Sequence, residues 1–289
     1  MSANGPHSKS PTIALALQLS RDIPSETALL DAELLLSHVL ECERSYFRTW
    51  PEKPLSAAQY RAYQILLDRR IEGEPVAHML GNQSFWNLEL TVSPQTLIPR
   101  GDTEILVEQA LLLDIPKHAR VLDLGTGTGA IALALASERP DWNVYGTDYC
   151  HEIVQLARSN GQRNGLARVE FYEGHWFDAL PVGSNFDLII SNPPYIADGD
   201  PHLQQGDLRF EPETALVAAR AGLADIEHIV LGARMFLADD GWLMIEHGYD
   251  QAYQVRSLFE NSGYVGIRSV RDYGDNERMT QGRRISPGF

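Results

Sequence analysis

An apolar run that breaks at a glycine-rich turn and restarts as an alanine-rich helix constrains this chain more than any other feature. Arg120-Val-Leu-Asp-Leu124 reads as a buried strand, Asp123-Leu-Gly125-Thr126-Gly127-Thr128-Gly129 as the turn, and Ala130 to Ser137 as the helix. Glycines in such a turn permit positive φ and let the backbone approach a ligand, while the helix start offers free N–H donors. The same alternation continues downstream. Asn143 to Thr147, Val169 to Tyr172 and Phe186 to Ser191 are strand-like, with Ile153 to Asn164 helical between the first two. Later come a helix near Leu223 to Leu237, a strand at Trp242 to Glu246, and a helix near Ala252 to Asn261. Strands near Tyr264 to Val270 and Arg283 to Ile285 close the chain. This pattern predicts an α/β fold with a doubly wound, mostly parallel sheet and helices on both faces.

The first hundred residues have a different grammar. Met1 to Ser10 reads as a frayed tail. From Pro11 to about Ile71 the pattern is helical. Leu29, Leu30, Leu34, Leu35, Val39 and Leu40 recur at three- and four-residue spacing, with Asp31, Glu33 and Glu41 between them. A second run, Tyr60, Tyr63, Ile65, Leu66 and Leu67, follows Ser56, which suits an N-cap. Phe85-Trp86 and the alternating Leu88, Leu90 and Val92 predict a β-hairpin. The expected division is therefore a helical domain over 1–82, a hairpin connector over 83–100 and the α/β domain over 101–289.

The glycine turn alone does not name its ligand. Counted from Gly125, the third glycine of a dinucleotide fingerprint falls at Ala130, where alanine is tolerated, so the spacing leaves NAD open. A plain tight turn with a helix-capping Asp123 is the structural alternative. Asp148 ends the next strand, where an acid can hold the ribose hydroxyls of a nucleoside.

A second segment narrows the chemistry. Strand Phe186 to Ser191 delivers Asn192-Pro193-Pro194-Tyr195 to the carboxyl edge of the sheet, where open α/β folds bind ligands. Two prolines fix φ and remove two N–H donors, leaving rigid carbonyl acceptors, and the Asn192 amide adds another acceptor oxygen. An –NH2 group has two hydrogens needing partners. Holding both orients the nitrogen lone pair toward an electrophile, and the Tyr195 ring can pack against a flat target.

Charge and cysteine content exclude several classes. The formal net charge of −15 repels polyanions, and the only basic pairs are Arg69-Arg70 and Arg283-Arg284, so no extensive nucleic-acid surface is expected. Cys42 and Cys150 form no C-x-x-C pair, which reads as two reduced thiols in a cytoplasmic protein without a zinc-type metal site. Ile13 to Leu19 is too short for a membrane span and reads as a helix start rather than a signal peptide.

An acid two residues before the first glycine, as Asp123 stands here, resembles the methyltransferase form of this turn. With Asp148 and Asn-Pro-Pro-Tyr, the chain resembles the class I N-methyltransferases. From about Ala28 to Arg284 it resembles, more closely, the bacterial peptide chain release factor glutamine methyltransferases. The segments that carry this are Arg70 to His78, Thr96 to Arg100, Val121 to Ala130, Ser191 to Tyr195, Arg209 to Pro212 and Arg271 to Arg278. The resemblance implies methyl transfer from S-adenosylmethionine to the Gln amide of the Gly-Gly-Gln tripeptide in class 1 release factors, with S-adenosylhomocysteine as product and no metal. It implies that Gly125, Thr126, Gly127, Thr128 and Gly129 line the cofactor together with Asn192. Asp148 then binds the ribose and Trp176 lies beside the adenine. Asn192, Pro193, Pro194 and Tyr195 bind the glutamine amide, with Asn192, Pro193 and Tyr195 as the catalytic residues. Two positions depart from the family pattern: Gly101 stands where Pro is usual, and His175 where Asp commonly precedes the Trp. Arg100 and Glu211 lie in family-like segments without an assigned role, and His78 and His247 read as structural. The rival targets for the same clamp are a ribosomal-protein glutamine and the exocyclic amine of adenine. Outside enzymes, a cofactor-binding scaffold is the alternative.

Overall fold

The computed structural model describes residues 10–285, so residues 1–9 of the expected tail lie outside the described residues. By contact density the chain divides into two compact units. Among the described residues, one is 10–81 together with 204–210, and the other is 82–203 with 211–285.

The first unit is helical: α1 (Ile13–Leu17), α2 (Ala28–Leu40), α3 (Ser45–Thr49), α4 (Ala57–Ile71) and α5 (Val76–Leu80). Ser56 caps α4 as expected, in a full capping box whose second half is the Gln59 side chain on the Ser56 N–H. The buried face of α2 departs from the expected one. Leu29 and Leu30 are exposed, and Asp31, Ala32, Leu35 and Leu36 point inward. The reason is an ion pair. Asp31 Oδ2 accepts from Arg70 Nε at 2.8 Å with both side chains buried, and Arg70 Nη1 also donates to Asp207 Oδ1 at 2.8 Å. A carboxylate with such a partner can occupy a core position that a leucine would otherwise fill. Around it pack Ile13, Phe47, Leu55, Tyr63 and Leu67.

The second unit opens with the hairpin of β1 (Asn82–Phe85) and β2 (Leu88–Thr91), turned at Trp86 with φ +57°. After α6 (Glu104–Leu111) the α/β alternation begins: β3 (Arg120–Leu124), α7 (Ala130–Glu138), β4 (Asn143–Asp148), α8 (His151–Arg163), β5 (Glu170–Glu173) and β6 (Phe186–Ser191). A short parallel ladder of β7 (Ile196–Ala197) and β8 (Val217–Ala218) brackets α9 (Glu213–Leu216). Beyond it lie α10 (Ala219–Gly222), α11 (Ala224–Ala233), β9 (Leu237–Glu246), α12 (Ala252–Asn261), β10 (Tyr264–Arg271) and β11 (Glu277–Arg284). The main sheet has seven strands in the order β10-β11-β9-β6-β3-β4-β5, with only β11 antiparallel to its neighbours. One apolar cluster fills each face. Helix α7 is buried from Ala130 through Ala136, sharing its cluster with Phe85, Leu88 and Leu90 of the hairpin. No helix among the described residues is long and apolar enough to cross a membrane.

Two expected boundaries shift. Leu237 opens β9 instead of closing the preceding helix, and the last strand begins at Glu277 rather than Arg283. In β11 the inward positions include Thr280 and Gln281, so hydrophobic alternation is missing there. Thr280 is satisfied by His247 Nε2 and Ser269 Oγ, both at 2.8 Å. Such partners make a polar residue tolerable inside the sheet.

Candidate active site

The chain runs outward from β3 through β4 to β5, then returns to place β6 on the other side of β3. That reversal opens a crevice at the carboxyl ends of β3 and β6, the general ligand position of open α/β sheets. Leu124 and Ser191 are register partners, and Ser191 Oγ donates to the Leu124 carbonyl at 2.8 Å. The glycine turn and Asn-Pro-Pro-Tyr therefore leave the sheet side by side.

Gly125, Gly127 and Gly129 all have positive φ. A Cβ on Gly125 would sit 3.1 Å from the Trp176 ring, so both conformation and space require glycine there. Asp123 points inward, 1% exposed, and caps the turn: Thr126 Oγ1 donates to its Oδ2 at 2.6 Å and the Ala132 N–H at 3.2 Å. Burial pushes its carboxyl up to about 7, with the neighbouring Asp148 charge adding to the rise and both hydrogen bonds opposing it. Asp148 lies on the cavity wall. Its Oδ2 accepts from the Gly127 N–H at 3.1 Å and its Oδ1 from the Cys150 N–H at 3.3 Å. Burial raises its pKa while backbone N–H groups pull it down. An ionised carboxylate has about four lone-pair sites, so Asp148 keeps acceptor capacity for a vicinal diol.

The cavity wall brings together Gly125, Thr126, Gly127, Thr128, Asp148, Trp176, Asn192 and Pro194 from the expected set. Gly129, Pro193 and Tyr195 are not on that wall. Gly129 instead starts α7 against Leu133, Phe171 and Ala157, where a Cβ would approach each within 3.3 Å. Pro193 is buried. Tyr195 packs against the cluster of the α11–α12 face, with its Oη donating to Glu246 Oε1 at 3.3 Å. Its phenol is pushed upward by burial first and by Glu246 second.

Trp176 adopts φ +47°, held by the Thr147 hydroxyl donating to its carbonyl at 3.1 Å. Its indole Nε1 is buried without a hydrogen-bond partner. His175 lines the cavity beside it, ring centroids 5.7 Å apart, and Asp225 lies on the same wall. Gly101 begins a 3₁₀ turn over Gly101–Thr103, has no positive φ, and an added Cβ there meets nothing within 4 Å. The extended Arg100 before it is the conformation that a proline at that position would prefer in its predecessor. Arg100 and Glu211 form an ion pair, and the Glu211 side chain, fully buried, also accepts the Ile98 N–H at 3.0 Å. His247 is satisfied at both ring nitrogens, by the Gly248 carbonyl at 2.9 Å and the Thr280 hydroxyl at 2.8 Å.

Residues 14–81 match the family model described as the PrmC N-terminal domain, and residues 115–276 match one described as a methyltransferase domain. A release factor glutamine methyltransferase of Escherichia coli is 51% identical over 259 residues, covering 90% of this chain and 93% of that protein. Its counterpart from Pseudomonas aeruginosa is 52% identical over 272 residues, or 94% and 98% of the two chains. The chain belongs to the release factor glutamine methyltransferase family. A crystallographically determined methyltransferase from Pyrococcus furiosus shares the fold, with a TM-score of 0.54 at 17% identity over 76% of this chain and 98% of that one. For this family member, the expected enzyme class and the class I fold both stand.

Two residues at the site escaped the sequence reading. Thr103, 4% exposed, lines the cavity and accepts from Asn192 Nδ2 at 3.1 Å. Glu246, 2% exposed, ends β9 one residue past Ile245, the register partner of Ser191. Burial pushes its carboxyl up to about 7, against the opposing pull of the Thr103 hydroxyl and the Arg278 guanidinium. The available signal was a glutamate closing the apolar run Leu243 to Ile245 at a carboxyl strand end.

Proposed function

We propose that this chain methylates the side-chain amide nitrogen of the Gln in the Gly-Gly-Gln motif of class 1 release factors, in the cytoplasm, with S-adenosylmethionine as donor. The names of relatives about half identical over nearly the whole chain support the substrate. The observation that carries the chemistry is Asn192: its Nδ2 is engaged by Thr103, so Oδ1 remains the acceptor of a side chain on the cavity wall.

The cofactor fits the residues present. Gly125 leaves the space beside Trp176 open, and Asp148 retains lone pairs for two ribose hydroxyls. When bound, it supplies an electrophilic methyl group on a sulfonium. A neutral amide is a poor nucleophile because its lone pair is delocalised into the carbonyl. Asn192 Oδ1 and the Pro193 carbonyl accept the two amide hydrogens, which aims the nitrogen and favours the charge developing on it. Pro194, on the cavity wall, restricts the flat group to one plane. The basic pairs named above offer little to a polyanion: Arg69 is bonded to Glu74, Arg70 to Asp31, Arg283 to Asp240 and Arg284 to Asp239.

Mass spectrometry of an unmethylated release factor, after incubation with this protein and S-adenosylmethionine, tests the reading. One added methyl on the Gly-Gly-Gln peptide is expected, with kcat reduced about 10²–10³-fold in Asn192→Ala. No gain of mass despite cofactor binding would redirect the search to other amide or amine acceptors.

A further inference from the structure

Two prolines make the loop after β6 rigid in φ but poor in anchors. Neither Pro193 nor Pro194 has an N–H, so neither donates a main-chain hydrogen bond to the surrounding fold. Where the Asn192 and Pro193 acceptors stand therefore depends on how the two ends of the tetrapeptide are held. Ser191 secures the first end, in register with Leu124 and Ile245. The second end is Tyr195, and its carbonyl is held by a side chain.

That side chain is Gln251, the residue before α12. A primary amide carries two N–H donors and an acceptor oxygen, and here each meets a partner. Gln251 Nε2 donates to the Tyr195 carbonyl at 2.9 Å and to the Ala221 carbonyl at 3.2 Å, while Oε1 accepts from the Gly248 N–H at 2.8 Å. Two carbonyls on one side and an N–H on the other admit only one orientation of the amide. One buried side chain thus joins the loop after β6, α10 and the turn after β9. Its own base is firm. Helix α12 buries Val255 and Phe259 in the same cluster against which Tyr195 packs. The α10 side is strained instead. Arg220 and Ala221 both have φ +56°, and such left-handed residues persist only where surrounding contacts over-determine them. The bond to the Ala221 carbonyl is one of those contacts.

We infer that Gln251 is a positioning residue for methyl transfer: from a fixed helix start it holds the Tyr195 carbonyl, and so fixes the far end of the loop that presents Asn192 and Pro193. It touches no reacting atom. The consequence in rate rests on the methyl-transfer reading, whereas the anchor itself does not. Gln251→Glu keeps the shape and still accepts from Gly248. Ionised, its other oxygen repels both carbonyls; protonated, it donates to one of them. Burial and the two facing oxygens favour the neutral acid, so this carboxyl titrates above an ordinary glutamate. Glu246, His247, Tyr249 and Asp250 flank it, and Tyr195 and Arg220 lie on the facing segments. All are shared with wild type, so the ratio of variant to wild-type rate isolates position 251.

The test follows methylation of unmethylated release factor from pH 6 to 9, with cofactor Kd measured by calorimetry. Gln251→Met is expected to lose about tenfold or more in kcat at every pH, with KM and cofactor Kd changed by less than about threefold. Gln251→Glu should lie within a few-fold of wild type at pH 6 and fall to the Met level by pH 9. A Met variant as fast as wild type, or a Glu-to-wild-type ratio flat across that range, overturns the inference. Wild-type protein carrying ¹⁵N-labelled glutamine gives a readout that needs no variant to fold. Nuclear Overhauser contacts from the Gln251 side-chain –NH2 to both Tyr195 and Ala221 are expected, and their absence overturns the inference. A wild type inactive on release factor would sink the substrate reading alone. The Tyr195 carbonyl ¹³C shift then decides: pH titration in Gln251→Glu beyond that of wild type supports the anchor, and an identical trace overturns it.

Discussion

A carboxyl sealed beneath the glycine turn titrates unlike one in water, and Asp123 shows the consequence. Its pKa is raised from the ordinary aspartate value to about 7. Between those limits the folded chain holds a proton that the unfolded chain has released. Stability from this group is therefore complete at pH 4 and below, falls as pH rises, and levels off once pH passes the folded value. The slope cannot exceed about 1.4 kcal/mol per pH unit for one proton. Asp123→Asn keeps an acceptor for Thr126 and the Ala132 N–H but cannot ionise. Denaturant unfolding at a series of pH values should show the stability of the wild type declining from pH 5 to 8 relative to the Asn variant. Parallel curves would mean that Asp123 ionises as freely as an exposed aspartate. This feature could not be read from the turn motif, because a helix-capping aspartate and a ligand-facing one have the same sequence.

At the scale of elements, the loop after β6 is braced from below by α10. Gly222 has φ +82°, and a Cβ there would lie 2.0 Å from the Tyr195 carbonyl oxygen. That carbonyl cannot easily retreat, since it also accepts from Gln251 Nε2 at 2.9 Å. Gly222→Ala therefore combines left-handed strain with overpacking, at a cost of about 2–4 kcal/mol. A lowered denaturation midpoint is expected, together with weaker methyl transfer as Tyr195 is displaced; a variant matching wild type in both would show that the loop yields. The β6 strand and its Asn-Pro-Pro-Tyr end were legible because both signals are local: an apolar run, then two prolines. Gly222 was not, because its neighbour Tyr195 is brought to it only by the pairing of β7 with β8.

For the molecule as a whole, the division into a helical unit and an α/β unit follows a change in periodicity that can be seen without coordinates. What holds the helical unit together is less visible. Asp31 and Arg70 are buried as a pair, and removing one partner strands a charge in the core at a cost of about 3–5 kcal/mol. Arg70→Met should lower stability by about that amount in denaturant unfolding followed through this unit, and an unchanged midpoint would mean that Asp31 finds water or another cation. Ser56 was readable because an N-cap depends on residues within one turn, whereas the Gln59 half of its capping box appeared only in the structure. Asp31 looked like a surface residue because its partner lies on another helix. Preferences of adjacent residues are enough to give the alternating main-sheet strands and helices, the glycine turn and the tetrapeptide at the sheet edge, but not α6 or the β7–β8 ladder. Long-range packing sets which polar groups are buried, that Asp123 caps while Asp148 faces the cavity, that Thr103 meets Asn192 and that Tyr195 meets Glu246. Those outcomes depend on hydrogen-bond partners and dielectric surroundings supplied by residues distant in the chain.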